Sequence, residues 1–183
     1  MQLTSTQALT QLLKKKGITT LNELLVYVRK LPYGRNSSRI NFSQVITEER
    51  GTCSSKHALV KAVADENGLE NVQLMLCLYK MTALNTLGIG NALNEQAIQY
   101  IPEAHCYLKI DATKLDLTNE HSNIANIEAD ILDEKAILPI QVGSYKVNYH
   151  QQYLKNWLSY NHLPYTFEEI WKIREYCIKN LSL

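Results

Sequence analysis

The sequence lacks long apolar stretches and an excess of charge of either sign. No apolar run among the 183 residues approaches the roughly 18 that a membrane-spanning helix needs, and residues 1–6 lack the basic and then apolar pattern of a signal peptide. The 19 Lys and Arg residues nearly balance the 18 Asp and Glu residues, so the chain has no strong overall field to attract nucleic acid, membranes or acidic substrates. We therefore expect a cytoplasmic protein that binds neither nucleic acid nor membranes.

Cysteines and flexible linkers are also scarce. The four cysteines, at positions 53, 77, 106 and 177, include no C-x-x-C pair, which argues against a zinc ribbon, a thioredoxin-type dithiol and a dense disulfide framework. No stretch rich in Pro, Gly or Ser divides the chain, and no internal repeat is present. Since 45% of the residues are hydrophobic, the chain can bury a substantial core. We expect reduced thiols and a single domain over residues 1–183.

Periodicity and capping signals predict helices at both ends of the chain. Residues 6–16 have an apolar helical face that ends at Gly17, and Thr20–Glu23 is a capping box for a helix that ends before Pro32. A second capping box, Thr166–Glu169, opens the last helix. The predicted organisation is a helical segment over 1–32, a core over about 40–120 and a helical segment over about 145–183. An edge strand is predicted over 137–142, because Pro139 has no N–H for a central ladder.

Cys53 lies where a polar loop runs into a helix. The stretch from Arg50 to His57 is polar, and apolar residues at helical spacing follow from Ala58, so a helix is predicted from Cys53 to near Gly68. The N–H groups without helical partners and the positive end of the helix dipole favour the thiolate, which is the nucleophilic form of cysteine. Cys53 is therefore a candidate nucleophile.

A histidine and an aspartate follow on two predicted strands. Residues 104–110 and 114–118 form a predicted hairpin with Asp111 and Ala112 in the turn, so that Tyr107 faces Asp116. His105 then lies on the same face, diagonal to Asp116 at about 7–8 Å between Cα atoms, and side chains can close that gap. Asp111 lies six residues from His105 along one strand, at about 3.3 Å per residue, and is too far away to serve it.

These residues have the chemistry of a nucleophile, a base and an orienting acid. In this hypothesis His105 withdraws the thiol proton of Cys53, and the thiolate attacks a carbonyl carbon. Asp116 fixes the tautomer of the imidazole and stabilises its cation. The oxyanion would bind the backbone N–H of Cys53 and one further donor, for which the candidates are Tyr33, Asn41 and Gln44.

The order and spacing of these motifs resemble the transglutaminase-like superfamily of papain-type folds. The pattern of that superfamily is a G-x-C at the start of a helix, a histidine on one strand and D-x-T on the next. It is matched here by Gly51-Thr52-Cys53, His105 and Asp116-Leu117-Thr118. The resemblance covers roughly residues 40–120 and leaves both terminal helical segments outside it.

The resemblance implies an α+β papain-like fold, with a catalytic helix packed on a small antiparallel sheet. The N- and C-terminal helices predicted from periodicity would flank this core. The resemblance also implies a cysteine protease, amidase or transamidase that acts on an amide through a thioester and needs no metal or organic cofactor. The substrate would be a peptide, a protein or a small amide. Substrate identity, the choice between hydrolysis and transamidation, and the oligomeric state stay open.

Two other classes of function stay open as well. A chain with this fold but without turnover would be a peptide- or protein-binding module. A zinc site built from Cys53, His57, His105 and Cys106 is the other alternative. His57 shares a helix face with Cys53, but we interpret it as a solvated or core-edge histidine, because a base on the same helix leaves little room for substrate between it and an orienting acid.

Overall fold

The computed structural model describes residues 1–96 and 98–181, which form an α+β fold with six α-helices and a four-stranded antiparallel sheet. The helices are α1 (Ala8–Lys15), α2 (Leu21–Lys30), α3 (Ser43–Thr47), α4 (Cys53–Glu66), α5 (Ser144–Tyr160) and α6 (Phe167–Asn180). The strands are β1 (Val72–Met81), β2 (Ile101–Ile110), β3 (Thr113–Leu115) and β4 (Ile131–Ile137), in the order β3-β2-β1-β4. The predicted α+β class is confirmed.

The chain divides into two compact units, each assembled from separate stretches. The first unit contains Met1–Leu76, Cys106–Ile124 and Lys135–Gly143. The second unit contains Cys77–His105, Ala125–Glu134 and the described part of Ser144–Leu183. This division into units does not test the expectation of a single domain over residues 1–183, which stays a prediction.

Helix α4 lies at the centre of the first unit. The helices α1, α2 and α3 and a 3₁₀ turn at Pro139–Val142 all contact it. Its fully buried apolar side chains are Ala58, Leu59, Val60, Val63 and Ala64. Burying a Val or Leu side chain contributes about 1.5–3 kcal/mol, so this packing holds the first turn of α4 in a defined place.

The last turn of α4 also caps α1. Gln7 precedes α1 but makes no side-chain capping hydrogen bond. The carboxylate of Glu66 instead accepts hydrogen bonds from the N–H groups of Leu9 (3.1 Å) and Thr10 (2.8 Å) and from the Thr10 hydroxyl (2.6 Å). An anion at this end of a helix is stabilised by the helix dipole. The start of α1 therefore depends on a residue 56 positions after Thr10.

Start and stop signals within the predicted helices are present in the structure. Both capping boxes, Thr20–Glu23 and Thr166–Glu169, have the two reciprocal hydrogen bonds. Gly17 and Gly68 follow α1 and α4 with φ of 79° and 66°, the left-handed conformation that glycine adopts at low cost. The predicted terminal helices and the helix that begins at Cys53 are thus confirmed.

The hairpin formed by β2 and β3 has the predicted register. Leu108 pairs with Leu115 and Ile110 with Thr113, which leaves Asp111 and Ala112 as the two-residue turn. Asp111 has φ of 53°, as tight hairpin turns of this length require. Extending the register by one residue places Asp116 opposite Tyr107.

The edge strand predicted over 137–142 is wrong. The edge strand in this part of the chain is β4, Ile131–Ile137, which ends before residue 138, and the chain then forms the 3₁₀ turn at Pro139–Val142. Proline favours the first turn of a helix as well as an edge strand, and the side chain of Gln141 accepts the N–H of Leu138 (2.8 Å) to start that turn. The strand itself contains Asp133, Glu134 and Lys135, charges that an edge tolerates and that hide a strand from a hydrophobicity pattern.

Candidate active site

Cys53 is the first residue of α4, and its side chain is half-buried. Thr52 is the N-cap: its hydroxyl accepts the N–H of Ser55 (3.4 Å), and the Ser55 hydroxyl accepts the N–H of Thr52 (3.0 Å). This capping box ends the loop and begins the helix at the thiol. The Cys53 sulfur lies 3.8 Å from the Ser54 hydroxyl oxygen. The other three cysteines, Cys77, Cys106 and Cys177, are all buried, so Cys53 is the most accessible thiol of the four.

Asn36 fastens the preceding loop to the start of α4. Its side-chain oxygen accepts a hydrogen bond from the Ser55 hydroxyl (2.7 Å), while its NH₂ group donates to the Arg50 carbonyl (3.0 Å) and the Glu48 carboxylate (3.1 Å). Asn36 is absent from the site predicted from the sequence. An Asn in a Ser-rich loop has no periodic signal, because its partners lie 8 to 19 residues away.

Gly51 is needed because the first turn of α4 passes very close to it. A Cβ atom added at Gly51 would lie 2.8 Å from the Cγ of Lys56 and 3.0 Å from the Ser55 hydroxyl oxygen. Gly51 also pairs with Tyr33 in a parallel bridge. The G-x-C motif is therefore explained by packing between the loop and the side chain three residues after the cysteine.

Lys56 is a fully buried cation beside the candidate nucleophile. Its Nζ donates to the carbonyl oxygens of Leu31 (2.5 Å) and Thr118 (2.7 Å). Burial lowers the pKa of Lys56 to about 8, while the charges of Asp116 and Cys53 oppose that fall. Lys56 is absent from the site predicted from the sequence, although its place one turn after Cys53 and just before an apolar run is a signal for it.

Asp116 is buried immediately after β3, in a turn closed by Thr118. One carboxylate oxygen accepts both the N–H (2.9 Å) and the hydroxyl (2.6 Å) of Thr118. The backbone carbonyl of Asp116 accepts a hydrogen bond from the Arg29 guanidinium (2.9 Å). We refer to Asp116–Thr118 as the Asp116 turn. The D-x-T motif is thus a self-closing turn that holds its carboxylate in one orientation.

His57 has a structural role in this site. Its Nε2 accepts the N–H of Leu117 (2.7 Å), and its Nδ1 lies 2.6 Å from the carbonyl oxygen of Cys53. Because an amide N–H can only donate, Nε2 carries no proton, and the proton on Nδ1 is donated to Cys53. The ring is fully buried, and its Nε2 is 3.7 Å from a carboxylate oxygen of Asp116. The expectation of a solvated or core-edge histidine is therefore wrong: the His57 ring lies in the core, with both nitrogens against backbone groups.

His105 lies on β2 and belongs to the second unit, whereas Cys53 and Asp116 belong to the first. The imidazole is half-buried and meets the ring of Tyr79 edge-on, with 6.2 Å between centroids. The structure brings Cys53, Lys56, His57 and Asp116 together in the first unit, and the role of His105 as their base stays a prediction.

The three candidate oxyanion donors have different surroundings. Tyr33 is half-buried and bridges to Gly51, two residues before Cys53. Asn41 is exposed and accepts a hydrogen bond from the Ser43 hydroxyl (2.7 Å). The Gln44 side-chain oxygen accepts the N–H of Ser38 (2.5 Å). Asn41 and Gln44 therefore organise the loop before α4, and all three oxyanion roles stay predictions.

Comparison with known proteins gives this chain no relative. No protein family, no curated protein and no solved structure matches it. Within residues 1–96 and 98–181, no three His, Cys, Asp or Glu side chains are grouped to hold a metal ion. In the same part of the chain, no helix has both the length and the apolar character needed to cross a bilayer. The site must therefore be interpreted from its own chemistry.

Proposed function

We propose that this chain is a cysteine-dependent acyl-transfer enzyme with a transglutaminase-like, papain-type fold. Cys53 is the nucleophile, His105 the general base and Asp116 the carboxylate that orients the base. The proposal is carried by one observation: the most accessible thiol begins a 14-residue helix and shares a buried cation, Lys56, with Asp116. A helix N-terminus and a nearby cation both favour the thiolate.

The reaction begins when His105 takes the thiol proton and the Cys53 sulfur attacks an amide carbonyl carbon. The carbonyl oxygen becomes an oxyanion next to the Cys53 backbone N–H. Collapse of this intermediate breaks the C–N bond, and the leaving amine receives the proton from His105, which leaves a thioester on Cys53. Water or a second amine then gives up a proton to His105 and attacks the thioester. The thiol is regenerated, and the product is a carboxylic acid or a new amide.

Two features of the structure support these roles over the alternatives. His57, the rival base, has both ring nitrogens engaged with backbone groups. Asp116 follows a hairpin with the register on which its assignment was based, and its carboxylate is held by Thr118.

The first test is native-state alkylation with iodoacetamide at pH 7, followed by mass spectrometry of each cysteine peptide. We expect Cys53 to be modified ahead of the other three thiols. His105→Gln should slow its modification by about tenfold or more, because the thiolate loses its counterion. The matched control His121→Gln changes an exposed histidine and should leave the rate unchanged. Equal reactivity of all four thiols in the folded wild type would contradict the proposal.

A second test addresses turnover without assuming a substrate. Wild type and Cys53→Ala are compared against a panel of amide-mimicking electrophiles and chromogenic amides, with and without an added primary amine. Covalent labelling and amide cleavage that depend on Cys53 support the enzyme, and amine incorporation identifies a transamidase. Ordinary thiol reactivity at Cys53, unaffected by His105→Gln, would instead favour the peptide- or protein-binding module.

A further inference from the structure

Lys56 connects the three segments that form the candidate site in the first unit. It is part of α4, one turn after Cys53, and its Nζ reaches Leu31 at the end of α2 and Thr118 in the Asp116 turn. The side chain is fully buried along its length, and its Cγ lies against Gly51. A substrate approaching the half-buried Cys53 would therefore not touch Lys56.

Several groups around Lys56 oppose the cost of burying its positive charge, although burial still lowers its pKa to about 8. The carbonyl of Leu31 lies at the C-terminal end of α2, where the helix dipole is negative and favours a cation. Asp116 and Cys53 each favour the charged form of the ammonium group. The other titratable groups nearby are His57, whose hydrogen bonds make it neutral, and Arg29, whose guanidinium donates to the Asp116 carbonyl. Asp116 and Cys53 are thus the acidic neighbours of Lys56: its Nζ bonds the Asp116 turn, and it lies three residues after Cys53 on α4.

A buried lysine carries an energetic cost, because taking an ammonium ion out of water costs several kcal/mol unless it is paired. If Lys56 served only to donate to two carbonyl oxygens, a neutral hydrogen-bond donor of similar length could take its place. A cation is required only if it stabilises negative charge nearby, and both of its anionic neighbours have roles in the proposed reaction.

We propose that Lys56 is a positioning residue of the site: its ammonium ion anchors the Asp116 turn to the first turn of α4 and stabilises the Cys53 thiolate through its charge. This inference rests on the proposed function and adds to it the group that holds the nucleophile and the orienting carboxylate in their ionised forms. Lys56 exchanges no proton with the substrate and forms no bond to it.

The test is the pH dependence of Cys53 alkylation by iodoacetamide, an uncharged reagent whose approach is not steered by Lys56. The rate follows the thiolate fraction, so the midpoint of the profile reports the pKa of the thiol. Lys56→Met fills the volume without charge and should raise the midpoint by about one pH unit, which lowers the rate at pH 7 about tenfold. Lys56→Gln keeps a hydrogen-bond donor but no charge, and it should raise the midpoint equally.

Lys61→Met is the matched control, because Lys61 lies on the same helix and pairs with Asp65 away from the site. Its alkylation profile should match that of the wild type, and far-UV circular dichroism compares the fold of all variants. A wild-type midpoint in Lys56→Gln or Lys56→Met would overturn the charge role of Lys56. That result would leave the proposed function standing if Cys53 is still the first thiol modified, whereas equal modification of all four thiols in the wild type would refute the proposed function itself.

Discussion

Replacing Arg174 by methionine should destabilise the second unit by about 3–5 kcal/mol at pH 7, because it leaves a buried carboxylate without its partner. Arg174 on α6 donates from Nε and Nη2 to the two carboxylate oxygens of Glu103 on β2, at 2.6 and 2.5 Å. Both side chains are largely buried, with 13% and 6% exposure. Such a bidentate pair is strong because both hydrogen bonds are charge-assisted in a region with little water.

The pKa of Glu103 shows how strongly its partners stabilise the buried carboxylate. Burial is the largest single influence and acts to raise this pKa, but attraction to Arg174, His150 and Lys146 and the hydrogen bonds from Arg174 together outweigh it, and the pKa falls from its ordinary 4.5 to about 2. A difference of this size corresponds to about 3 kcal/mol of stability. Since the folded-state pKa lies below the unfolded-state pKa, this stability is fully present above pH 4.5 and is lost as the pH falls toward 2.

In the variant, the contribution of Glu103 to stability should instead increase as the pH falls. In Arg174→Met the burial of Glu103 is no longer offset by its main partner, so its pKa rises and the carboxyl group is best accommodated in its protonated form. The stability difference between wild type and variant should therefore be largest near pH 7 and should shrink below pH 4.5. Urea unfolding followed by circular dichroism at several pH values measures this difference.

The double variant Arg174→Met/Glu103→Gln completes the experiment. Removing both charges should cost less stability than the sum of the two single changes, because the double variant has no unpaired buried ion, whereas each single variant has one. Arg39→Met, at an exposed arginine, is the control and should change stability by less than about 0.5 kcal/mol. Additive costs that do not vary between pH 7 and pH 3.5 would refute the reasoning.

Two further predictions concern the first unit. Gly51→Ala should lower the free energy of unfolding by about 1–3 kcal/mol and slow Cys53 alkylation, because the new methyl group overlaps Lys56 and Ser55. The control Gly34→Ala meets only the movable Arg50 side chain, at 3.1 Å, and should cost less stability in the same urea titration. His57→Leu should cost about 1–3 kcal/mol, since the buried N–H of Leu117 loses its acceptor, and an unfolding midpoint equal to that of the wild type would disprove the structural role of His57.

Features that depend on neighbours along the chain were predictable. The two capping boxes, the glycine after α4 and the two-residue turn at Asp111 and Ala112 each involve residues no more than a few positions apart. The hairpin register follows from the turn alone, because a two-residue loop leaves one pairing of the flanking strands. The placement of Cys53 at a helix start belongs to the same class, since Thr52 and Ser55 supply the cap locally.

Prediction failed where local signals compete or are hidden. Pro139 is compatible with an edge strand and with a helical first turn, and only its surroundings select the 3₁₀ turn. The charged middle of β4 lacks an apolar alternation, so its strand conformation depends on pairing with β1. In both cases the deciding contacts come from residues distant in sequence.

The sequence by itself determined where α4 begins, which thiol stands there and how Asp116 follows its hairpin, because caps, turns and strand alternation act over a few residues. Only the tertiary structure decided which ionisable groups lose contact with water and which partners they gain. Lys56 meets a carbonyl 62 residues away and Arg174 meets a carboxylate 71 residues away. Burial makes a charge depend on its partners, and partners at such separations are set by the packing of the whole unit.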